Sequence, residues 1–182
     1  MEIKLETARL LLRPWRTEDA EDLYKYASDP AVGPAAGWAP HTSVEDSRHI
    51  IETVLAPPET YALVPKETGR PVGSIGAFRS RADGAREDEL ELGYWIAREF
   101  WGRGLVPEAV RCLLKRCFGT LGAPRVWCGY FDGNEKSRRV QEKCGFVYHH
   151  TERGKLWEPT GEIKTEHFTC LDKKNFYEKC IS

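Results

Sequence analysis

The sequence lacks any apolar run approaching the roughly 18 residues that a helix needs to cross a bilayer, which excludes a helical membrane span. It also lacks a strong charge of either sign. Against 27 Lys+Arg stand 28 Asp+Glu, a formal net charge of −1, whereas a duplex nucleic-acid binder is usually basic across its whole domain. No segment repeats, and no Pro/Gly/Ser-rich linker divides the chain. The first residues, Met1-Glu2-Ile3-Lys4-Leu5-Glu6, lack the basic-then-apolar order of a secretory signal, so a cytoplasmic location is expected. No C-x-x-C pair occurs. The six cysteines, Cys112, Cys117, Cys128, Cys144, Cys170 and Cys180, all lie in the second half, and they read as small buried hydrophobes rather than disulfide partners or zinc ligands.

What is present suits one globular domain: 182 residues, 41% hydrophobic and 30% charged. Residues 1–182 are expected to form it, with a core from about 5 to 171 and a short C-terminal helix or tail over 172–182. Leu5–Arg13 reads as a first strand stopped by Pro14. Thr17 is expected to cap a helix over Glu18–Ala27, whose acidic first turn suits the helix dipole. The proline- and glycine-bearing stretch Pro30–Pro40 reads as a loop. Thr42 or Ser43 then caps a second helix that runs to about Leu55. Strands follow at Tyr61–Val64, Pro71–Phe78 and Glu89–Ile96. A helix opened by Pro107 has the apolar stripe Val106, Val110, Leu113, Leu114, Cys117 and Phe118. Arg125–Tyr130 reads as a strand, Asn134–Lys143 as a helix closed by Gly145, and Phe146–Arg153 with Ile163–Leu171 as a last hairpin with a long connection. The order predicts an α/β (α+β) domain with a mixed, mostly antiparallel sheet flanked by helices.

The small net charge conceals an uneven distribution. From Arg98 to Lys143 ten basic residues face five acids, so this stretch is +5 and the remainder −6. A basic segment in an acidic chain points to a polyanion, although Lys115 and Arg116 read as a solvated helix face. Within the segment, Gly102-Arg103-Gly104-Leu105-Val106-Pro107 lies between a strand and a helix. Glycines there let backbone N–H groups approach a ligand, and the helix N-terminus adds partial positive charge, a cradle suited to a pyrophosphate. The G-K-[ST] ending of nucleotide triphosphatases is absent, as is the third glycine of the dinucleotide fingerprint.

Three blocks, Glu91–Ile96, Phe100–Ala109 and Asn134–Phe146, occur in that order, with Leu5–Pro14 and Trp38-Ala39-Pro40-His41 ahead of them. Together they resemble the GNAT superfamily of N-acetyltransferases, and within it the RimJ/RimL-type branch, from about Leu5 to Leu171. The resemblance implies acetyl-CoA (coenzyme A) bound at Trp95, Ile96, Ala97, Trp101, Gly102, Arg103, Gly104, Leu105, Val106, Asn134, Ser137 and Arg139. The pyrophosphate would lie on the Gly102–Val106 amides and the pantetheine along the Glu91–Ile96 strand. A backbone N–H near Trp95 or Ile96 would meet the oxyanion.

Acetyl transfer to an amine needs a base for the ammonium proton and a donor for the departing thiolate. Glu91 is the expected base, against a strand acid that contributes only solubility. Many superfamily members place a tyrosine seven residues after the block's asparagine; here that position is Gln141. Ser137, one turn after Asn134, is then the candidate donor, against a solvated helix serine. Asn134 either caps its helix or touches the pantetheine. Trp38, His41, Glu91 and Trp95 are expected to wall the acceptor, with Glu45, Asp46 or Glu52 available to hold a cation. His149, His150 and His167 lack metal-ligand spacing, and no metal is expected.

The expected function is acetyl transfer from acetyl-CoA to a primary amine, either a protein N-terminal α-amine or a small amine. Transfer of another, longer acyl group is a second reading, and a regulatory module that binds acyl-CoA without turnover is a third, which Gln141 keeps open. The expected partners are the cofactor and the acceptor, with no nucleic acid or membrane, in a monomer or homodimer.

Overall fold

A computed structural model describes residues 3–181, with side chains to residue 178. The chain divides into two compact units, each discontinuous in sequence. One holds the residues up to Gly76 together with Tyr94–Ala109; the other holds Ala77–Gly93 and the residues from Val110 onward. The helices are α1 (Ala20–Ala27), α2 (Gly33–Ala36), α3 (Val44–Thr53), α4 (Leu105–Phe118), α5 (Glu135–Lys143) and α6 (Lys173–Ile181). The strands are β1 (Leu5–Glu6), β2 (Leu10–Arg13), β3 (Thr60–Pro65), β4 (Gly73–Arg79), β5 (Leu90–Ile96), β6 (Arg125–Phe131), β7 (Val147–Trp157) and β8 (Glu162–Asp172). The domain is α/β with an open mixed sheet of eight strands flanked by helices.

In the first unit the strands run β1-β2-β3-β4-β5, with β1, β2, β3 and β4 paired antiparallel. Strands β4 and β5 continue into the second unit, where the order is β4-β5-β6-β8-β7. There β5 and β6 are parallel, with Glu91 opposite Trp127, and β8 is antiparallel to both its neighbours. A parallel pair needs a crossover, which α4 supplies. The first unit buries Trp15, Leu23, Ile51, Ala62 and Val64 around α1, α3 and β3, and the second buries Trp127, Phe168 and Cys170.

Local chemistry moves several boundaries from their sequence positions. The strand predicted over Leu5–Arg13 is two strands, with Leu5 opposite Leu12. Thr7 turns the chain between them: its N–H donates to the Leu10 carbonyl at 2.9 Å, and its hydroxyl accepts from the Leu10 N–H at 2.9 Å. Asp19, not Thr17, organises the start of α1. Its carboxylate accepts from the Arg16 N–H at 3.0 Å and takes both arms of the buried Arg13 guanidinium at 2.6 and 2.8 Å. The predicted loop Pro30–Pro40 contains the short helix α2. For α3 the expected cap holds, since Ser43 Oγ accepts from the Asp46 N–H at 3.0 Å. Helix α4 begins two residues before Pro107, which sits in the first turn, where its missing N–H leaves no acceptor unmet. The last hairpin is longer than predicted and its link shorter, residues 158–161. Trp157 extends the pairing: its ring packs on Phe131 at 5.1 Å and carries the Arg81 guanidinium at 4.6 Å.

Cys112, Cys117, Cys128, Cys144 and Cys170 are all free thiols. Burial pushes the Cys144 thiol up to about 11, so it stays protonated at neutral pH. The side chain of Cys180 lies outside those described.

Candidate active site

The predicted site residues fall into two groups. Trp38, His41, Trp95, Ile96, Ala97 and the Trp101–Val106 loop belong to the first unit. Glu91, Asn134, Ser137 and Arg139 belong to the second.

In the first unit, the end of β5 leads through a single 3-10 turn, Arg98–Phe100, into the glycine loop and α4. The Trp101 indole N–H donates to the Ile96 carbonyl at 2.9 Å, tying the loop back to β5. Gly102 and Gly104 have φ of 73° and 75°, a left-handed conformation that side chains disfavour. A Cβ on Gly102 would meet nothing within 4 Å, and on Gly104 only the Arg9 guanidinium at 3.6 Å. The backbone of this loop is therefore open on the surface, just ahead of the α4 amides that lack intrahelical acceptors. A bound pyrophosphate fits such a surface, because it needs several N–H donors and no covering side chain. Leu105 and Val106 are buried and anchor the helix start, while Gly102, Arg103 and Gly104 are exposed.

An aromatic wall occupies the same unit. The Trp38 ring meets Trp95 edge-on at 5.6 Å and His41 at 5.2 Å, and Trp95 stacks on Trp15 at 6.5 Å. His41 Nδ1 shares a 2.8 Å hydrogen bond with the buried Ser47 hydroxyl. Burial lowers the His41 pKa, outweighing the pull of Asp46. Near neutral pH the ring is thus an uncharged surface rather than a cation. Asp46, one of the acids considered for a cationic acceptor, is already bonded to Thr42, whose N–H donates at 2.9 Å.

In the second unit, Glu91 is 1% exposed. Its carboxylate accepts from the Arg81 N–H at 3.0 Å and the Ser80 hydroxyl at 3.2 Å, and the Arg81 guanidinium stands 3.2 Å away. Arg81 spends its better geometry on Glu166, a bidentate pair at 2.7 and 2.8 Å. Burial raises the Glu91 pKa, and the Arg81 charge offsets this only in part. Glu89, the residue just before β5, is committed elsewhere: the Trp127 indole N–H donates to it at 2.6 Å.

Asn134 caps α5, its side-chain oxygen accepting from the Ser137 N–H at 3.2 Å. Gln141, at the position where many superfamily members have tyrosine, is 1% exposed and fully engaged. Its amide donates to the Gly129 carbonyl at 3.1 Å and to Ser137 Oγ at 3.2 Å, and its oxygen accepts from the Thr169 hydroxyl at 2.8 Å. Glu91 thus bonds to Ser80 and Arg81, and Ser137 to Gln141. Arg139 is exposed. His150 bonds to Glu152 and His167 to Asp132.

Sequence reasoning did not single out Arg81, Glu166 or Arg9. Arg81 sits in a polar stretch that reads as a connection, and Glu166 in a hairpin strand far along the chain. Arg81 reaches Glu91 across ten residues, and Glu166 joins them from 85 residues beyond Arg81.

The parallel β5–β6 pair is joined through the glycine loop and α4. The chain belongs to the GNAT family: residues 9–147 match the family described as the acetyltransferase (GNAT) domain. It is 32% identical over 147 residues to p20 of Bacillus licheniformis, described as an uncharacterized N-acetyltransferase; the match covers 78% of this chain and 81% of that protein. Over 59 residues, 32% of each chain, it is 46% identical to YdaF of Bacillus subtilis, named as a candidate ribosomal N-acetyltransferase. Its fold matches a GNAT-family acetyltransferase from Bacillus anthracis with a TM-score of 0.78 at 21% identity, covering 94% of this chain and 99% of that one. A ribosomal-protein-S5-alanine acetyltransferase from Vibrio fischeri matches with a TM-score of 0.73 at 19% identity, covering 96% and 98%. The protein is an N-acetyltransferase of this family. No helix among the described residues is long and apolar enough to cross a membrane.

Proposed function

We propose that the protein transfers an acetyl group from acetyl-CoA to a primary amine, working in the cytoplasm. The observation that carries this reading is the Gly102–Val106 loop, whose two left-handed glycines leave backbone amides uncovered at the head of α4. When bound, acetyl-CoA supplies an acyl group activated as a thioester. The loop amides hold its pyrophosphate, and a backbone N–H near Trp95 or Ile96 meets the carbonyl oxygen as charge develops there. Glu91, whose proton affinity burial has raised, takes the ammonium proton of the acceptor directly or through water. Ser137 donates a hydrogen bond to the departing thiolate. Its oxygen already accepts from Gln141, which strengthens the hydroxyl as a donor.

The aromatic wall and the names of the relatives support a choice of acceptor class. Trp38 and Trp95, with a neutral His41 beside them, suit an amine on an apolar or peptide stem. The Vibrio fischeri neighbour carries a ribosomal-protein name, which favours a protein N-terminal α-amine over a free small amine. Incubation with acetyl-CoA and a panel of peptides and small amines, read by mass spectrometry, tests both. A gain of one acetyl group on peptide N-termini is expected. Acetylation confined to small amines would overturn the peptide assignment, and binding of CoA with no product on any acceptor would overturn the reaction.

A further inference from the structure

The Gly102–Val106 loop has two glycines on either side of Arg103, and glycine is the residue with the most backbone freedom to lose on ordering. Trp101 ties the loop to β5 and the Arg103 side chain pairs with Glu67, but neither fixes the Arg103–Gly104 peptide. The chain instead holds it from a turn almost a hundred residues earlier. Arg9, between β1 and β2, donates from Nε to Glu108 Oε2 at 2.7 Å and from its guanidinium to the Arg103 carbonyl at 2.9 Å. Its backbone N–H donates to Glu108 Oε1 at 2.9 Å, and the Thr7 hydroxyl donates to the same oxygen at 2.6 Å.

We propose that Arg9 is a positioning residue for the cofactor, clamping the Arg103 carbonyl to Glu108 so that the loop amides are set before the pyrophosphate arrives. The proposal rests on the reading of this loop as the acetyl-CoA site. Two physical arguments carry it.

The first is geometric. A peptide unit is planar and trans, so the Arg103 carbonyl and the Gly104 N–H point in opposite directions. A donor that fixes the carbonyl on the Arg9 side therefore fixes the Gly104 N–H on the other. Without that bond, ψ of Arg103 and φ of Gly104 are freer to turn the peptide, and the cofactor must do more of the ordering, at a cost in affinity.

The second is electrostatic. Glu108 lies in the first turn of α4, where an unpaired carboxylate would repel a phosphate on the same helix end. Burial would push the Glu108 pKa up, but the bonds from Thr7 and Arg9 outweigh it and keep the group ionised. Arg9 balances that charge and holds it in place. The Arg9 side chain is 51% exposed, so as an ion pair alone it contributes little to stability. Its value lies in orientation.

Calorimetry of CoA binding to the full chain tests this, with Arg9→Met and Arg9→Lys compared to the unmodified protein and each titrated with CoA and with dephospho-CoA. Arg9→Met is expected to weaken CoA about tenfold or more, with a melting temperature within a few degrees of the unmodified protein. Arg9→Lys should not restore affinity, because one ammonium cannot span Glu108 and the Arg103 carbonyl in the manner of a planar fork. It keeps the charge and the stem, so it reports even if Arg9→Met folds poorly. The loss should be equal with dephospho-CoA, and KM for acetyl-CoA should rise while kcat at saturation stays put. Unchanged affinity, full rescue by lysine, or a loss that vanishes with dephospho-CoA would each overturn the proposal, the last by showing direct contact with the 3′-phosphate. Failure of the unmodified chain to bind CoA would overturn the cofactor reading itself, and this proposal with it.

Discussion

Glu91 is a carboxylate held where its proton is bound more tightly than in water, chiefly because it is buried. A base works only when deprotonated. If Glu91 is that base, activity rises with pH through an apparent pKa above the ordinary 4.5 of a glutamate. Glu91→Gln should remove that limb and lower kcat at neutral pH by about a hundredfold or more, within the usual range for a general base, while leaving CoA affinity intact. An unaltered pH–rate profile would remove Glu91 from this role. The blocks that make up the candidate site were legible because each is local: a strand, a loop, a helix cap. Arg81 was not, because nothing in the stretch Arg79–Asp88 distinguishes an arginine that pairs with Glu91 and Glu166 from one in a solvated turn. Gln141 was noticed for the proton it cannot give. The structure adds what it does instead, joining α5 to β6 and β8 while bonding Ser137.

Among the elements, α1 shows how an end signal can be misread by a few residues. Thr17 has the chemistry of a cap, but Asp19 has a partner that the local sequence does not advertise as such, Arg13 on β2. Both are buried, at 8% and 7% exposure, so the pair is costly to break: removing one member strands a charge in a poorly solvated place. Asp19→Ala should therefore destabilise the protein by about 3–5 kcal/mol in denaturant unfolding, whereas Thr17→Ala should change it by less than about 1 kcal/mol. Equal effects would show that Thr17 caps after all. Most strands and α3, α4 and α5 were legible within a few residues, because hydrophobic period and capping are short-range. The extra length of β7 and β8 was not, since it depends on Trp157 packing against Phe131 and Arg81.

At the scale of the whole molecule, the basic stretch Arg98–Lys143 is less exposed as a field than its charge suggests. Arg98 pairs with Asp29, Arg103 with Glu67 and Arg125 with Asp172, all acids from outside the stretch, while Arg138 pairs with Glu135. Charges neutralised at contact distance contribute little at a Debye length of about 10 Å. CoA affinity should then depend only weakly on salt, falling less than about tenfold between 50 and 500 mM NaCl, with the backbone amides supplying most of the recognition. A steep dependence would return the weight to the arginines. The clustering of Trp15, Trp38 and Trp95, with ring centroids 6.5 and 5.6 Å apart, also gives the protein an optical property. Indoles this close share excitation, so quenching at one dims all three. If the acceptor reaches Trp38, its arrival should change the intrinsic fluorescence of the cluster, and no change on adding acceptor would remove Trp38 from the acceptor wall.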